Sequence, residues 1–238
     1  AERLAAAPVA QDDEAGREFA DVLIERARAG VQVRLLYDWL GCTWRAWPSY
    51  WNRLREAGVE VRVFNPPRLS AVSLVRRNHR KTITVDGTVG YASGLCLSDQ
   101  WSGARGEPWR DTGLEIRGPA VRDLDEAFAE TWAHAGAPLE PGWDDGHPLD
   151  RKGDTLVRVV PGRPGAVAAY RLDLLVAAAA KRRLWLTDAY LAPTPAYVQA
   201  LGEAARDGVD VRILGPGESD VPLLQPFVRT GYRRLVEA

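Results

Sequence analysis

The sequence predicts an α/β sandwich on a mixed, mostly parallel sheet, present twice, with the second copy incomplete. Three observations carry this expectation. Apolar periodicity switches repeatedly between helical and strand spacing along the 238 residues. Asp86-Gly87 separates two strand-like runs and marks a local hairpin. "ARAGVQVRLL" at 27–36 returns as "ARDGVDVRIL" at 205–214, identical at seven of ten positions with an offset of 178.

The elements follow in order. Residues 14–29 carry Phe19, Leu23 and Ala27 at helical spacing, and Gly30 ends that helix. "VQVRLLYD" (31–38) alternates as a strand. Pro48 opens a helix over 48–57 that Gly58 closes, and "VEVRVFN" (59–65) is the next strand. "HRKTITV" and "TVGYAS" flank the Asp-Gly turn, "TGLEIRG" is a strand, and 119–134 is a helix. Residues 135–153, rich in Gly, Pro and Asp, read as a linker. Beyond them come a strand at 155–160, a helix at 167–181, a strand at 183–190, a helix at 195–207, a strand at 209–214 and a helix at 223–237.

The second match, "LREA" (54–57) with "LVEA" (235–238), keeps the order at an offset of 181. The expected organisation is therefore a first repeat at 1–134, a linker at 135–153 and a partial second repeat at 154–238. Projecting "RLWLTDAY" (183–190) back leaves only a remnant, "AAAPVAQD", at about residues 5–12. The chain thus reads as a piece clipped at both ends, and it contains no methionine.

Composition excludes several classes. Hydrophobic residues make up 46%, too many for a disordered chain. A net charge of −1 gives no global field toward nucleic acid or anionic lipid, so any anion site must be local. Cys42 and Cys96 are too few for a disulfide framework and read as free thiols of a reducing compartment. No apolar run is long enough to cross a membrane, and no signal peptide is visible. Lys81, Lys152 and Lys181 are the three lysines, against 28 arginines. A lysine in a telling position is thus less ordinary here than an arginine.

Lys81 is in such a position. "NHRKTITVDG" (78–87) places His79, Lys81, Ile83 and Val85 on one face of a strand, with the last two toward the core. His79 and Lys81 then stand side by side at the strand's open end. A neutral imidazole there can attack phosphorus, while the ammonium holds the non-bridging oxygens. No cluster of metal-ligating side chains accompanies them, so neither metal nor other cofactor is expected. Asp86 has the opposite parity and occupies the turn, which suits a hairpin anchor or a partner for a cation.

"HRKTITVDGTVGYASGLCLSDQW" with "PWRDTGLEIRGPAV" resembles the first HKD half of the phospholipase D superfamily. "VRLLYDWLG", "AGVEVRVFNPP", "LWLTDAYLAP" and "GVDVRILGPGESD" look like its bacterial cardiolipin synthase branch. The resemblance implies the phospholipase D αβα sandwich and a phosphohistidine intermediate. It implies that His79 and Lys81 are catalytic, that Asp86 is the motif aspartate, and that Asp111 orients the histidine. Ser93, Gly94, Cys96 and Arg80 are the candidate substrate contacts, with Cys96 standing where the family carries a phosphate-binding Asn. Two such motifs meet at one cleft in that superfamily. The repeat offset puts the second near position 260, so this chain on its own is expected to be inactive.

The expected activity is phosphatidyl transfer or phosphodiester hydrolysis on glycerophospholipids, at the cytoplasmic face of a bacterial membrane. A nuclease of the same superfamily, or a non-catalytic fragment, are the competing readings, and no nucleic-acid partner is expected. Trp44, Trp47 and Trp51 read either as a core-facing stripe or as an interfacial patch. Arg68, Arg76 and Arg77 fit a solvated loop or a lip for anionic head groups equally well. Asp38 reads as a structural hydrogen-bonder, His134 and His147 as bystanders, and "PGRPG" (161–165) and "GPGES" (215–219) as turns.

Overall fold

The computed structural model describes residues 2–7, 10–67, 77–104, 106–143, 149–162, 167–188, 193–215, 232–233 and 235–237. It divides into two compact units, Ala1–Val159 and Val160–Ala238. The first contains a six-stranded sheet with helices on both faces. Its strands are β1 (Arg3–Ala7), β2 (Gln32–Asp38), β3 (Glu60–Phe64), β4 (Thr82–Val85), β5 (Val89–Ser93) and β6 (Gly113–Arg117). They are ordered β3-β2-β1-β4-β5-β6.

β1, β2 and β3 pair in parallel, and β4 runs antiparallel to β1. β5 and β6 continue the antiparallel pairing. Four strands therefore point one way, and β4 and β6 the other. The sequence showed one local hairpin; the ladder from β1 to β6 has three antiparallel joints. The Asp86-Gly87 turn is the tightest of them, with φ of 51° and 63° and the Thr88 N–H donating to the Val85 carbonyl at 3.0 Å. Aspartate and glycine tolerate that left-handed region, which is why this pair closes the hairpin.

Helices α1 (Glu14–Arg28), α2 (Trp39–Cys42), α3 (Pro48–Glu56) and α4 (Asp99–Ser102) precede α5 (Ala120–His134). Side chains of α1 and α3 cover one face of the sheet, where Leu23, Ile24, Trp51 and Leu54 pack with Ala6, Val33 and Leu35. α5 covers the other, where Phe128 and Trp132 pack on Ala5, Leu36 and Phe64, and Leu124 on Ile116. Alternation along the strands produces this division: Ala5 and Ala6 face opposite layers.

α1 starts where the Asp13 carboxylate caps the Gly16 N–H at 3.1 Å. The other Asp13 oxygen accepts from the Asp99 N–H at 2.9 Å, and the Asp99 carboxylate accepts from the Ala15 N–H at 2.9 Å. This reciprocal clasp ties the starts of α1 and α4 together and satisfies amides that a helix start leaves open.

The second unit holds α6 (Ala168–Ala179), β7 (Arg183–Thr187), α7 (Pro195–Arg206) and β8 (Asp210–Leu214). β7 and β8 pair in parallel from Arg183↔Asp210, with Leu184, Leu201, Ala204 and Val209 in a small core. Among the described residues, no helix is long and apolar enough to cross a membrane.

Several sequence expectations are corrected here. The N-terminal segment is no remnant: Arg3–Ala7 is a central strand, flanked by β2 and β4. Its alanines hid it, because alanine favours helix while Ala5 and Ala6 here pack against opposite layers. The expected strand at 155–160 does not form. Leu156 and Val157 have strand-like chemistry but are exposed, and no strand among the described residues bonds them. Most of the expected helix at 223–237 lies outside the described residues, as do His147, Arg68, Arg76 and most of the 161–165 and 215–219 loops. The tryptophan stripe splits: Trp51 is buried, stacked 3.8 Å from Tyr37, whereas Trp44 and Trp47 are exposed.

Candidate active site

β4 begins at Thr82, so Lys81 and His79 lie on the extended segment just ahead of it. The parity argument survives the shift. Ile83 packs with the α1/α3 layer, and Lys81 is buried on the same side. Thr84, on the other face, donates to the Asp125 carboxylate of α5 at 2.5 Å, which Arg3 also contacts at 2.9 Å. β4 is thereby fixed on both sides, and its start is held at the end of the sheet where β2 and β5 finish.

At that end, Lys81 Nζ lies 3.1 Å from His79 Nδ1 and 3.0 Å from Nε2, and donates to the His79 carbonyl at 3.1 Å. Near-equal distances to both ring nitrogens put the ammonium across the imidazole, not in line with either lone pair. His79 itself is exposed. Partial desolvation lowers its pKa first, and the Lys81 and Arg77 cations lower it further, while Asp38 acts the other way. The imidazole is therefore biased to its neutral form. Burial likewise lowers the pKa of Lys81, against the opposing pull of Cys96 and Asp111. No carboxylate among the described residues is within ion-pair distance of that ammonium, and Asp111 and Asp38 act on it only at longer range.

The carboxylate that holds the segment before His79 is Asp38, at the end of β2. It is 2% exposed. One oxygen accepts from the Gly41 N–H and from Arg77 Nε, both at 2.8 Å, and the other from the Asn78 N–H at 2.8 Å. It thus caps α2 and clamps the two residues before His79. The sequence identified Asp38 as a hydrogen-bonder but gave no sign of its partners Arg77 and Asn78, which arrive from 39 and 40 residues away.

The other expected residues divide. Gly94 follows β5, and a Cβ there would stand 2.4 Å from Asp111 Oδ2, so only glycine leaves room for that carboxylate. Asp111 is thus brought beside Gly94 and near Lys81, with one oxygen accepting from the Thr112 N–H at 2.7 Å. The Ser93 N–H donates to the Lys81 carbonyl at 3.1 Å, which joins the ends of β4 and β5. Cys96 is buried in the α1/α3 core near Lys81, and burial raises its thiol pKa. It remains a thiol at neutral pH.

Two of the expected site residues lie away from this end. Arg80 points to the opposite layer, donating to the Ala127 carbonyl at 2.7 Å and Thr131 Oγ1 at 2.5 Å, both on α5. Its parity with Thr82 and Thr84 already pointed there. Asp86 sits at the far end of β4, about 15 Å of strand away. Its carboxylate accepts from the Arg3 N–H at 2.7 Å and its own N–H donates to the Arg3 carbonyl at 2.8 Å, which clasps the hairpin to β1. His134, at the end of α5, makes a 2.8 Å contact with the Glu130 carbonyl and takes no part in the cluster.

Beside Lys81 opens a groove of about 390 Å³, lined by Ile83, Tyr91, Ser93, Leu95, Leu97 and Leu114 among others. Its lining is mostly apolar, with the lysine at one end. The arrangement offers an imidazole biased to its neutral form, a buried cation beside it, and an apolar groove that the cation lines.

The family model for the cardiolipin synthase, PLD-like domain matches residues 8–132. A cardiolipin synthase of Halalkalibacterium halodurans is 35% identical over 240 residues, covering 97% of this chain and 47% of that protein. Cardiolipin synthase A of Pseudomonas syringae pv. syringae is 36% identical over 219 residues, covering 89% and 45% respectively. The chain therefore spans about half the length of the curated relatives it matches. Among solved structures, phosphatidylserine synthase of Haemophilus influenzae Rd KW20 aligns with a TM-score of 0.66 at 13% identity, over 99% of this chain and 64% of that one. Polyphosphate kinase of Porphyromonas gingivalis aligns with a TM-score of 0.55 at 16% identity, over 93% and 34%. At those identities the two structures speak for the fold alone.

Proposed function

The chain belongs to the family of cardiolipin synthase PLD-like domains, and we propose that the protein carrying it is a phosphatidyltransferase acting on glycerophospholipids. The observation that supports this most directly is the Lys81 ammonium lying about 3 Å from both nitrogens of an exposed, neutral-biased imidazole. In this reading His79 attacks the phosphorus of a phosphatidyl ester. A nitrogen–phosphorus bond forms and the bond to the head-group oxygen breaks. That oxygen leaves with a proton from a second acid, supplied from outside the described site. A hydroxyl of a second phosphatidylglycerol then returns its proton to that group and displaces the imidazole, which yields cardiolipin; water in its place gives phosphatidic acid.

Lys81 holds the non-bridging oxygens throughout, where charge builds in the transition state. Asp38 positions the segment before His79, and Asp111 biases Lys81 toward its charged form. Ser93, Gly94 and Cys96 border the phosphate, and the apolar groove takes the diacylglycerol end. Asp86 serves the hairpin. We also read the chain as two repeats, 1–134 and 154–238, joined by 135–153. Both contain a parallel pair around one helix, β1–α1–β2 from Arg3↔Gln32 and β7–α7–β8 from Arg183↔Asp210. In the same reading the protein works at the cytoplasmic face of a bacterial membrane.

The test is transfer of labelled phosphatidyl groups between phosphatidylglycerol molecules by the full protein. His79→Ala is expected to abolish transfer and the acid-labile lipid adduct on the protein. Transfer that survives the substitution removes His79 from the chemistry. Cleavage of single-stranded DNA with no lipid turnover replaces this reading with the nuclease.

A further inference from the structure

The loop from α2 to α3 exposes two indoles that the fold does not use. Trp44 is 88% exposed and Trp47 62%, with Leu40 beside them at 39%. The loop is nonetheless tightly fixed. Cys42, Tyr50 and Trp51 anchor its base in the core. The Thr43 hydroxyl donates to the Trp39 carbonyl at 2.6 Å, the Ala46 N–H to Cys42 at 3.0 Å, and the Asp12 N–H to the Arg45 carbonyl at 2.7 Å. Trp44 has a φ of 65°, a conformation that a bulky side chain rarely adopts. An ordered loop thus holds one indole outward in an unfavourable backbone state, and a second beside it.

Position and charge say what these indoles meet. Asp38 caps the helix that begins this loop and also clamps Arg77 and Asn78 just before His79. The tryptophans therefore stand at the same end of the sheet as His79 and Lys81. Arg45, between them in sequence, is exposed, and the Arg77 guanidinium is partly so. Asp38 and Arg77 pair with each other at 2.8 Å, which leaves Arg45 as the one charged side chain of Leu40–Trp47. Indole settles at the head-group level of a bilayer, and arginine is drawn to anionic lipid.

We propose that Trp44 and Trp47, with Arg45, form an interfacial anchor that seats the His79–Lys81 end of the sheet on an anionic phospholipid bilayer. The proposal rests on the lipid-directed function above and adds the surface that presents the site to its substrate. Two indoles and one cation give reversible attachment, suited to an enzyme that must release one lipid and take another. Attachment at this loop fixes orientation: the site opens toward head-group phosphates.

The experiment compares the full protein with its Trp44→Ala/Trp47→Ala variant. Both residues are exposed, and an unchanged melting curve confirms that folding is intact. Binding is read by quenching of tryptophan fluorescence with brominated phosphatidylglycerol vesicles, and with brominated phosphatidylcholine as the neutral comparison. Transfer is read on phosphatidylglycerol vesicles and on monomeric dihexanoyl phosphatidylglycerol. The variant is expected to lose most of the quenching and to show an apparent KM for vesicles raised about tenfold. Its kcat and its rate on the monomeric lipid stay unchanged. Unaltered quenching and vesicle KM overturn the anchor, as does an equal loss on monomeric lipid. If the wild type turns over no lipid while the variant still loses quenching, the anchor stands and the proposed reaction falls.

Discussion

Replacing Lys81 with methionine separates the stability of this fold from its function. The lysine is 8% exposed, and its ammonium finds the His79 carbonyl at 3.1 Å and the imidazole, with no carboxylate at ion-pair distance among the described residues. Its pKa is lowered chiefly by that burial. A lysine whose folded pKa lies below its unfolded one makes the protonated form a burden on the fold. That burden is fully present below the folded pKa and fades as pH rises toward the unfolded value of about 10.4. Methionine keeps the apolar stem and removes the charge, so Lys81→Met is expected to stabilise the protein by about 1 kcal/mol at neutral pH. For a unit of this size that raises the melting temperature by about 2–4 °C. Phosphatidyl transfer is expected to fall by about 10²–10³-fold, as for loss of one preorganised group on a charged transition state. Urea melts at pH 7 and pH 10 read the first effect, and the two proteins converge at the higher pH. Destabilisation by more than about 1 kcal/mol at pH 7 would refute the reasoning, because the ammonium would then be compensated in the resting fold.

Three further outcomes follow from the same geometry. Asp38→Asn turns an amide NH₂ toward one of three donors and is expected to cost about 2–3 kcal/mol. Because Asp38 raises the His79 pKa, the acid limb of the pH–rate profile should also move to lower pH, a shift that a merely structural carboxylate would not produce. In the proposed reaction His79 attacks as the neutral imidazole, so the acid limb of kcat/KM is expected below the ordinary histidine value of about 6.5; a limb above 7 contradicts the lowered pKa. Gly94→Ala pushes a methyl into the Asp111 carboxylate and is expected to lower transfer as much as Asp111→Ala. The double variant should lose no more than either single one, and additive losses would separate the two residues.

The pair His79 and Lys81 was legible because strand parity is a local property, and two residues on one face stay together wherever the strand goes. The same rule, applied to Arg80, would have sent it to α5, where it lies. Asp38 was legible as a hydrogen-bonder, but its partners Arg77 and Asn78 were not. The contact spans some 40 residues and depends on β4 meeting β1 in antiparallel register, which periodicity does not encode. β1 was missed for a related reason: its alanines satisfy a space between two layers, and that space exists only after α3 and α5 have packed. Leu156 and Val157 erred in the other direction, since a strand-like pattern without a neighbour leaves backbone groups to water. Trp51 and Trp47 are separated by four residues on similar chemistry, yet one stacks on Tyr37 and the other faces solvent, because Trp47 precedes the helix in extended backbone while Trp51 lies on its buried side.

The antiparallel insertion of β4 is what makes a site possible at all. In an open α/β sheet, ligands gather beyond the carboxyl ends of the parallel strands, where successive connections diverge. β2 delivers Asp38 there. Were β4 parallel to β1, the residues before it would lie at the opposite edge, about 15 Å from Asp38. Because β4 runs the other way, its start meets the ends of β2 and β5, and His79, Lys81, Gly94 and Asp38 converge. The cost of that reversal is a hairpin that must close tightly at the far end, where Asp86 accepts from Arg3 and Gly87 takes the left-handed turn. One ten-residue stretch thus places its chemical pair at one end of the sheet and its structural clasp at the other. Histidine and lysine depend on the aspartate through the register of β1 against β4, without any contact between them.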